Sequence, residues 1–194
     1  EIKLSNFEKV QSNWSTYEKL LGRLESDAVS SLIESLGERV VIAPRSQKKD
    51  QVGCFAGGLV QHALDVTIMM KTLNESMGFN VPISSILKVG LLHELGKIGD
   101  LESDLFIEQD SEWHREKLGQ MYKYNEDLGR MSVSHRTLYL LQSFGISLTS
   151  DEWIGIQLSQ GSHFEENRFY VGHEPTIAVL IQLSKSAVIH RSSL

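Results

Sequence analysis

One stretch organises this sequence: Leu91-Leu92-His93-Glu94-Leu95-Gly96-Lys97-Ile98-Gly99-Asp100. It ends an apolar run in which Ile86, Leu87 and Val89 precede it, so nearly every face of the predicted helix is apolar. Such a helix belongs at the buried centre of a fold. Its end is polar, with a histidine beside a glutamate and then glycines, a lysine and an aspartate. Imidazole and carboxylate are common metal ligands, so we predict a functional site at this helix end.

Helical patterns also dominate the rest of the chain. Apolar residues recur at three- and four-residue steps, and capping residues mark several helix starts. The clearest start is Thr149-Ser150-Asp151-Glu152, which has the sequence of a capping box. The predicted helices run from Asn6 to about Leu24, Ser26 to Gly37, Gly57 through Met70, Pro82 through Leu92, Trp113 to Tyr122, Ser132 or Ser134 to Gly145, Thr149 to Gly161 and Pro175 through Ala187.

The segments between these helices contain few strand signals. Val40-Val41-Ile42-Ala43-Pro44 is apolar and β-branched, so it could form a short strand that ends at the proline. The polar segments 45–53, 100–111 and 162–173 are predicted to be loops. With no repeat and no linker, the prediction is one all-α domain over residues 1–194. Its N-terminal helices lie in 1–40 and its motif-bearing core in 54–190.

Composition excludes several classes of protein. The chain is 41% hydrophobic and 23% charged, as globular domains are. Its net charge of -6 disfavours bulk binding to nucleic acid. The only cysteine, Cys54, excludes an internal disulfide and fits a reducing compartment. We find no signal peptide and no apolar run near the roughly 18 residues that span a bilayer. The expectation is a soluble cytoplasmic protein with no membrane partner, whose start at Glu1 indicates trimming or processing.

A second histidine lies on the preceding predicted helix. His62, His93 and Glu94 would supply three ligands from two helices to one divalent ion, with a position left for water. Asp65 lies one helical turn after His62 and could orient its imidazole. Lys97 lies one turn after the doublet, where its ammonium would meet a phosphate oxygen.

Two further residues complete the candidate set. His135, near a predicted helix start, is a fourth candidate metal ligand. Asp100, like Asp65, is a candidate general base or a partner of the ligands. Each residue also has an ordinary structural explanation. His62 could be a buried histidine with satisfied hydrogen bonds, His135 could cap its helix, and Glu94 could form a helix-end ion pair with Lys97. Only the combination of His62 with His93-Glu94-x-x-Lys97 favours a site.

This combination resembles the HD-domain superfamily of metal-dependent phosphohydrolases. The resemblance rests on His62 after Gly57-Gly58 and on His93-Glu94-Leu95-Gly96-Lys97. Ala43-Pro44-x-Ser46 ahead of Ala56-Gly57-Gly58-Leu59 resembles a subgroup of these domains. Some phage-encoded members are similar through Trp113–Lys117 and Leu138–Gln142. The resemblance implies a helical bundle of the HD type that hydrolyses a phosphoester or nucleotide with metal-activated water.

The chain departs from the family pattern at three places. Glu94 replaces the aspartate of the usual His-Asp doublet. Ser159-Gln160-Gly161 lies where the family often has a second histidine pair. The late aspartate should fall within 183–187, where the best match is Lys185. An ammonium there would repel a cation and could pair with Glu94, so we do not expect a binuclear centre.

Two functional hypotheses remain. In the first, His62, His93 and Glu94 hold one ion of Zn, Mn, Fe or Ni, and the chain hydrolyses a small phosphoester or nucleotide. In the second, metal binding is lost and the scaffold is a pseudoenzyme that binds a ligand or a protein. A nucleic-acid-binding module ranks third, because Arg39, Arg45 and Lys48-Lys49 form only a weak basic cluster.

Overall fold

The computed structural model describes residues 6–194, so the first five residues of the predicted N-terminal segment lie outside it. Within this part of the chain there are nine α-helices, two 3₁₀ turns and one two-stranded hairpin. The α-helices are α1 (Asn6–Gly22), α2 (Asp27–Leu36), α3 (Glu38–Ile42), α4 (Gly58–Met77), α5 (Ile83–Leu92), α6 (Glu112–Leu118), α7 (Val133–Ser143), α8 (Ser150–Leu158) and α9 (Thr176–Ser192). The predicted all-α class is confirmed.

The predicted helix starts agree with the observed caps. The Ser26 side chain accepts a hydrogen bond from the Val29 amide at the start of α2. Thr149 and Glu152 form both bonds of the predicted capping box at the start of α8. These bonds satisfy amides that have no partner inside the helix, and this is why the local sequence predicts them well.

Helix α5 lies at the centre of the fold, as its sequence predicts. It packs against α4, α8, α9 and α1, and α4 also packs against α9. The fully buried apolar residues of these helices form one continuous core, for example Val66, Met70, Val89, Leu92, Ile156 and Leu180. The packing of α4 against α5 brings His62 and His93 to neighbouring positions.

A glycine permits the close approach of α4 and α5. Gly90 of α5 lies directly against Thr67 of α4, and a Cβ atom at this position would collide with the threonine side chain. The end of α5 is held from another side by Tyr17, whose buried hydroxyl donates to the Leu91 carbonyl at 2.8 Å. The peptide that carries His93 is therefore fixed by both α1 and α4.

The structure corrects the strand prediction at Val40–Pro44. Val40, Val41 and Ile42 belong to α3, which follows α2 after the single residue Gly37, at φ +60°, and Ala43 ends the helix as its C-cap. A β-branched run forms a strand only where a second strand supplies hydrogen bonds. In residues 6–194 the named strands pair only with each other, far along the chain from this segment. Local helix formation is the remaining way to satisfy its backbone.

The hairpin is the element that the sequence did not predict. Strand β1 (Phe106–Glu108) lies inside the predicted 100–111 loop, and β2 (Tyr122–Tyr124) pairs with it in antiparallel register. The predicted helix to Tyr122 ends instead at Leu118, because Gly119 adopts a left-handed cap. Strands of three residues are too short to show an alternating pattern. The predicted 162–173 loop likewise contains a 3₁₀ turn at Glu165–Tyr170.

None of the helices in residues 6–194 combines the length and the apolar composition that crossing a bilayer requires.

Candidate functional site

The three predicted metal ligands meet at the end of α5. His62, His93 and Glu94 are buried, and each offers a ligand atom within 4.8 Å of the other two. The two imidazole ring centroids are 6.4 Å apart. The predicted convergence of α4 and α5 at this point is therefore present in the structure.

The imidazoles keep free ring nitrogens. Among residues 6–194, neither nitrogen of His62 has a hydrogen-bond partner, nor has Nε2 of His93. Nδ1 of His93 lies 2.9 Å from the Gly90 carbonyl, which fixes its hydrogen at Nδ1 and leaves a lone pair on Nε2. Asp65 consequently does not orient His62, contrary to the sequence prediction.

The carboxylate of Glu94, unlike the free ring nitrogens of the imidazoles, already has hydrogen-bond and ion-pair partners, because cations surround it. Arg45 forms a two-point pair with it, Nε to Oε2 at 2.8 Å and a terminal nitrogen to Oε1 at 2.9 Å. Lys185 Nζ donates to Oε1 at 2.9 Å, and Lys97 Nζ lies 3.6 Å from the same oxygen. The amide of Gln160 also donates to Oε1, at 3.4 Å. Every donor that touches Glu94 competes with a metal ion for its oxygens.

Arg45 reaches this position because its loop folds back onto the start of α4. The Arg45 amide donates to the Gly53 carbonyl, and its guanidinium also donates to the Val52 carbonyl. Gly58 lies against the Gly53 backbone so closely that a side chain at position 58 would collide with it. Gly57 precedes it at φ +83°, a conformation that glycine adopts readily. The Gly57-Gly58 pair therefore positions the arginine as well as starting the helix.

Lys185 comes from α9 and is buried beside Glu94. Its ammonium donates to Glu94 and, at 2.7 Å, to the Ser159 carbonyl at the end of α8. The predicted pairing of Lys185 with Glu94 is confirmed. The ammonium thus joins α8, α9 and the end of α5 at one point.

The cluster of Arg45, Lys97, Lys185 and Glu94 carries excess positive charge. Three cations against one carboxylate leave a net charge of +2. Burial alone would raise the pKa of Glu94, but Lys185, Lys97 and Arg45 hold this pKa well below its usual value. Burial lowers the pKa of Lys97 to about 8, against the opposing effect of Glu94. At pH 7 Glu94 is therefore ionised and Lys97 remains mostly charged.

As it stands, the donor set does not fit a divalent cation. The imidazoles fit, because buried lone pairs without partners are suitable for a metal ion. The carboxylate does not fit, since its oxygens already accept from Arg45 and Lys185. The net charge of +2 that Arg45, Lys97 and Lys185 leave after pairing with Glu94 has the same sign as the ion, and screening is weak in this buried volume.

A cleft of about 980 Å³ opens over this cluster. Arg45, His62, Lys97 and Gln160 form its floor, and each guanidinium or ammonium has N–H groups beyond those used by Glu94. The walls are polar and aromatic side chains of the 45–55 loop, the hairpin, the segment after α8 and the end of α9. A concave site of this volume is typical for a small-molecule ligand.

The remaining predicted residues take different places. Asp65 lines the cleft, and burial raises its pKa while Arg191 and Lys9 oppose the shift. Asp100 accepts hydrogen bonds from the Glu102 and Ser103 amides and so closes its own loop. It is not among the described residues that line the cleft. His135 is exposed on the first turn of α7, outside the ligand cluster.

Two residues of the site were not predicted from sequence. The sequence predicts Arg45 in a polar loop and Gln160 at the end of a helix. Arg45 is 49 residues from Glu94 along the chain, and no local pattern reports such a contact. Both lie within segments that the HD-domain comparison singles out: Arg45 is the variable residue of Ala43-Pro44-x-Ser46, and Gln160 lies in Ser159-Gln160-Gly161.

The buried imidazoles lead to a prediction about acid stability. Burial is the largest cause that lowers the pKa of His62 to about 2 and of His93 to about 3. Below pH 6.5 the unfolded chain therefore binds more protons than the folded chain. Stability is full above this pH and falls as the pH decreases. Near pH 5 the expected slope is about 1.4 kcal/mol per pH unit for each imidazole.

Urea unfolding at several pH values measures this slope. His62→Gln should reduce it by about half, because one of the two titrating groups is removed. His135→Gln, at an exposed histidine, is the matched control and should leave it unchanged. A slope that is the same in all three proteins would contradict the assignment.

No family model, curated protein or solved structure matches this chain. The HD-domain resemblance therefore stays a prediction that rests on the motif residues.

Proposed function

We propose that this chain is a binding module for a small phosphate-bearing molecule, and that it does not act as a metal-dependent hydrolase. The observation that carries the proposal is the charge of the buried cluster. Glu94, the carboxylate that a metal ion would need, is already neutralised, and the excess charge of +2 lies under an open cleft.

The charge of a phosphate group matches the excess charge of the cluster. A phosphate monoester carries about -1.5 to -2 at pH 7, close to the excess of the cluster. Arginine contacts phosphate through a planar fork of N–H groups, and lysine contacts it as a point charge. Arg45 and Lys97 both line the cleft floor and offer these two modes side by side.

Calorimetric titration with inorganic phosphate, at low and at moderate salt, tests the proposal. We expect saturable binding that weakens as salt is added. Lys97→Gln should weaken it by about tenfold, because the substitution removes a charged donor from the floor. Lys88→Gln is the matched control: Lys88 also pairs with a buried glutamate, Glu152, but it does not line the cleft.

Two results would overturn the proposal. One is the absence of phosphate binding at millimolar concentration in folded protein. The other is equal phosphate affinity in the Lys97→Gln variant and the unmodified chain.

A second candidate, the metal-dependent phosphohydrolase, is favoured by one observation. The unpartnered nitrogens of His62 and His93 are the kind of buried donor that a metal ion would satisfy. Elemental analysis of purified protein separates the two candidates. Stoichiometric metal that is lost in His93→Ala, together with phosphoester hydrolysis, would support the hydrolase. Metal-free protein that binds phosphate with unchanged stability in chelator supports the binding module.

A further inference from the structure

The cleft is larger than a phosphate group requires. Its volume of about 980 Å³ is at the upper end of the range for drug-sized ligands. A ligand that met only Arg45 and Lys97 would leave most of this volume to water. The shape of the cleft therefore indicates a ligand with a body attached to its phosphate.

Four aromatic side chains also line the cleft. They are Phe55, Phe106, Tyr124 and Phe164. Three of these rings are exposed, with Tyr124 at 57%, Phe55 at 44% and Phe164 at 43%. Exposed apolar surface inside a concave site is a common mark of ligand contact.

The ring of Tyr124 has one face supported by a neighbouring ring and one face open for stacking. Its ring centroid lies 5.4 Å from that of Phe106, its cross-strand partner in the hairpin, at an interplanar angle of 34°. Phe106 is buried and supports one side of the tyrosine ring, while most of the Tyr124 side chain remains exposed. A supported ring with an open face binds a second ring at little cost in side-chain entropy.

The same backbone network holds the stacking surface and the cationic floor. The Met121 amide, next to β2, donates to the Gln47 carbonyl at 2.8 Å. Lys48 and Gln120 form an isolated bridge between the same two segments. Tyr124 is therefore attached to the loop that carries Arg45, and a ligand can contact both without a change in the fold.

We propose that the ligand of this cleft carries a planar aromatic ring as well as its phosphate, and that the ring stacks on Tyr124. This inference rests on the proposed phosphate-binding function and specifies its ligand class: a nucleoside phosphate or another small aryl phosphate. Phe164 provides a second ring. It follows the Gln160 that contacts Glu94, in a segment fixed by the Asn167 side chain, which donates to the Gly161 carbonyl at 2.8 Å.

Binding of four probes tests the inference. Adenosine 5′-monophosphate and phenyl phosphate contain a ring, whereas glycerol 3-phosphate and inorganic phosphate do not. We expect the ring-bearing probes to bind at least tenfold more tightly, about 1.4 kcal/mol, because stacking adds to the phosphate contacts. A preference for the nucleotide over phenyl phosphate would identify a base-bearing ligand, and equal affinity would identify a general aryl phosphate site.

Substitutions separate stacking from fold effects. Tyr124→Ala should lose about tenfold in affinity for the ring-bearing probes and almost nothing for glycerol 3-phosphate. Tyr124→Phe should keep the affinity, since the ring remains. Tyr139→Ala is the matched control, because Tyr139 is similarly exposed, at 56%, but lies on α7 outside the cleft. Should Tyr124→Ala fail to fold, Tyr124→Leu preserves the packing on Phe106 and removes the aromatic face.

The outcomes distinguish this inference from the function on which it rests. Equal affinity for all four probes, or an equal loss for all four in Tyr124→Ala, overturns the stacking inference and leaves phosphate binding intact. Failure of every probe to bind folded protein overturns the phosphate-binding function and the inference with it.

Discussion

Glu94→Gln is expected to destabilise the fold by about 3–5 kcal/mol, the typical cost of leaving a buried charge without its partner. The variant keeps the shape of the side chain but removes the negative charge with which Arg45, Lys97 and Lys185 all pair. Since domains of this kind are stable by roughly 5–15 kcal/mol, the loss is a large part of the total. Urea unfolding followed by circular dichroism measures it.

The matched control is Glu152→Gln. Glu152 is buried like Glu94 but faces one partly exposed lysine, Lys88, and also accepts from the Ser85 hydroxyl. Its replacement should cost about 1–2 kcal/mol. The double variant Glu94→Gln/Lys185→Met should recover part of the loss, because it removes one unneutralised cation. Equal losses of unfolding free energy in Glu94→Gln and Glu152→Gln would show that charge neutralisation does not stabilise the cluster.

Lys185→Glu is expected to create a metal site. The substitution replaces the ammonium with a carboxylate on a side chain of similar length and changes the net charge of the cluster from +2 to 0. At an effective dielectric constant of 20, the interaction energy of two unit charges about 4 Å apart is about 4 kcal/mol. We therefore expect the affinity for Zn²⁺ or Mn²⁺ to rise by at least about a hundredfold, measured by calorimetry.

Three controls make this result specific. Lys185→Gln, which is neutral, should fall between the unmodified chain and Lys185→Glu. Adding His93→Ala to Lys185→Glu should remove the gained affinity, because it deletes a ligand. Circular dichroism before titration establishes that each variant is folded. Folded Lys185→Glu with no gain in metal affinity would refute the view that this ammonium keeps a cation out.

Much of the fold could be predicted because the signals were local. The caps at Ser26 and Thr149 are hydrogen bonds between residues three positions apart. The nearly continuous apolar run of α5 indicates by itself that this helix is buried. The sequence did not predict the hairpin, because strands of three residues are too short to show an alternation of apolar and polar residues. Helix α3 was mistaken for a strand because β-branched residues favour strands only where a partner strand exists.

The candidate site was predicted only in part. The sequence predicted His62 on one helix and His93, Glu94 and Lys97 at and just after the end of the next, and the structure brings these residues to one cluster. The prediction of Asp65 and Asp100 as site residues rests on chain proximity alone. The charges of Arg191 and Lys9 act on the pKa of Asp65, and Asp100 accepts hydrogen bonds from amides of its own loop.

The sequence by itself determined the helices and the burial of α5. It also determined the His93-Glu94 doublet at the end of α5 and Lys185 at the position where the HD family has a carboxylate. Only the tertiary structure decided the charge of the site. Arg45 and Lys185 reach Glu94 across 49 and 91 residues of chain, and the hairpin places Tyr124 at the same cleft. Helix periodicity and capping arise between neighbours in sequence, whereas ion pairs and clefts depend on how separate elements pack.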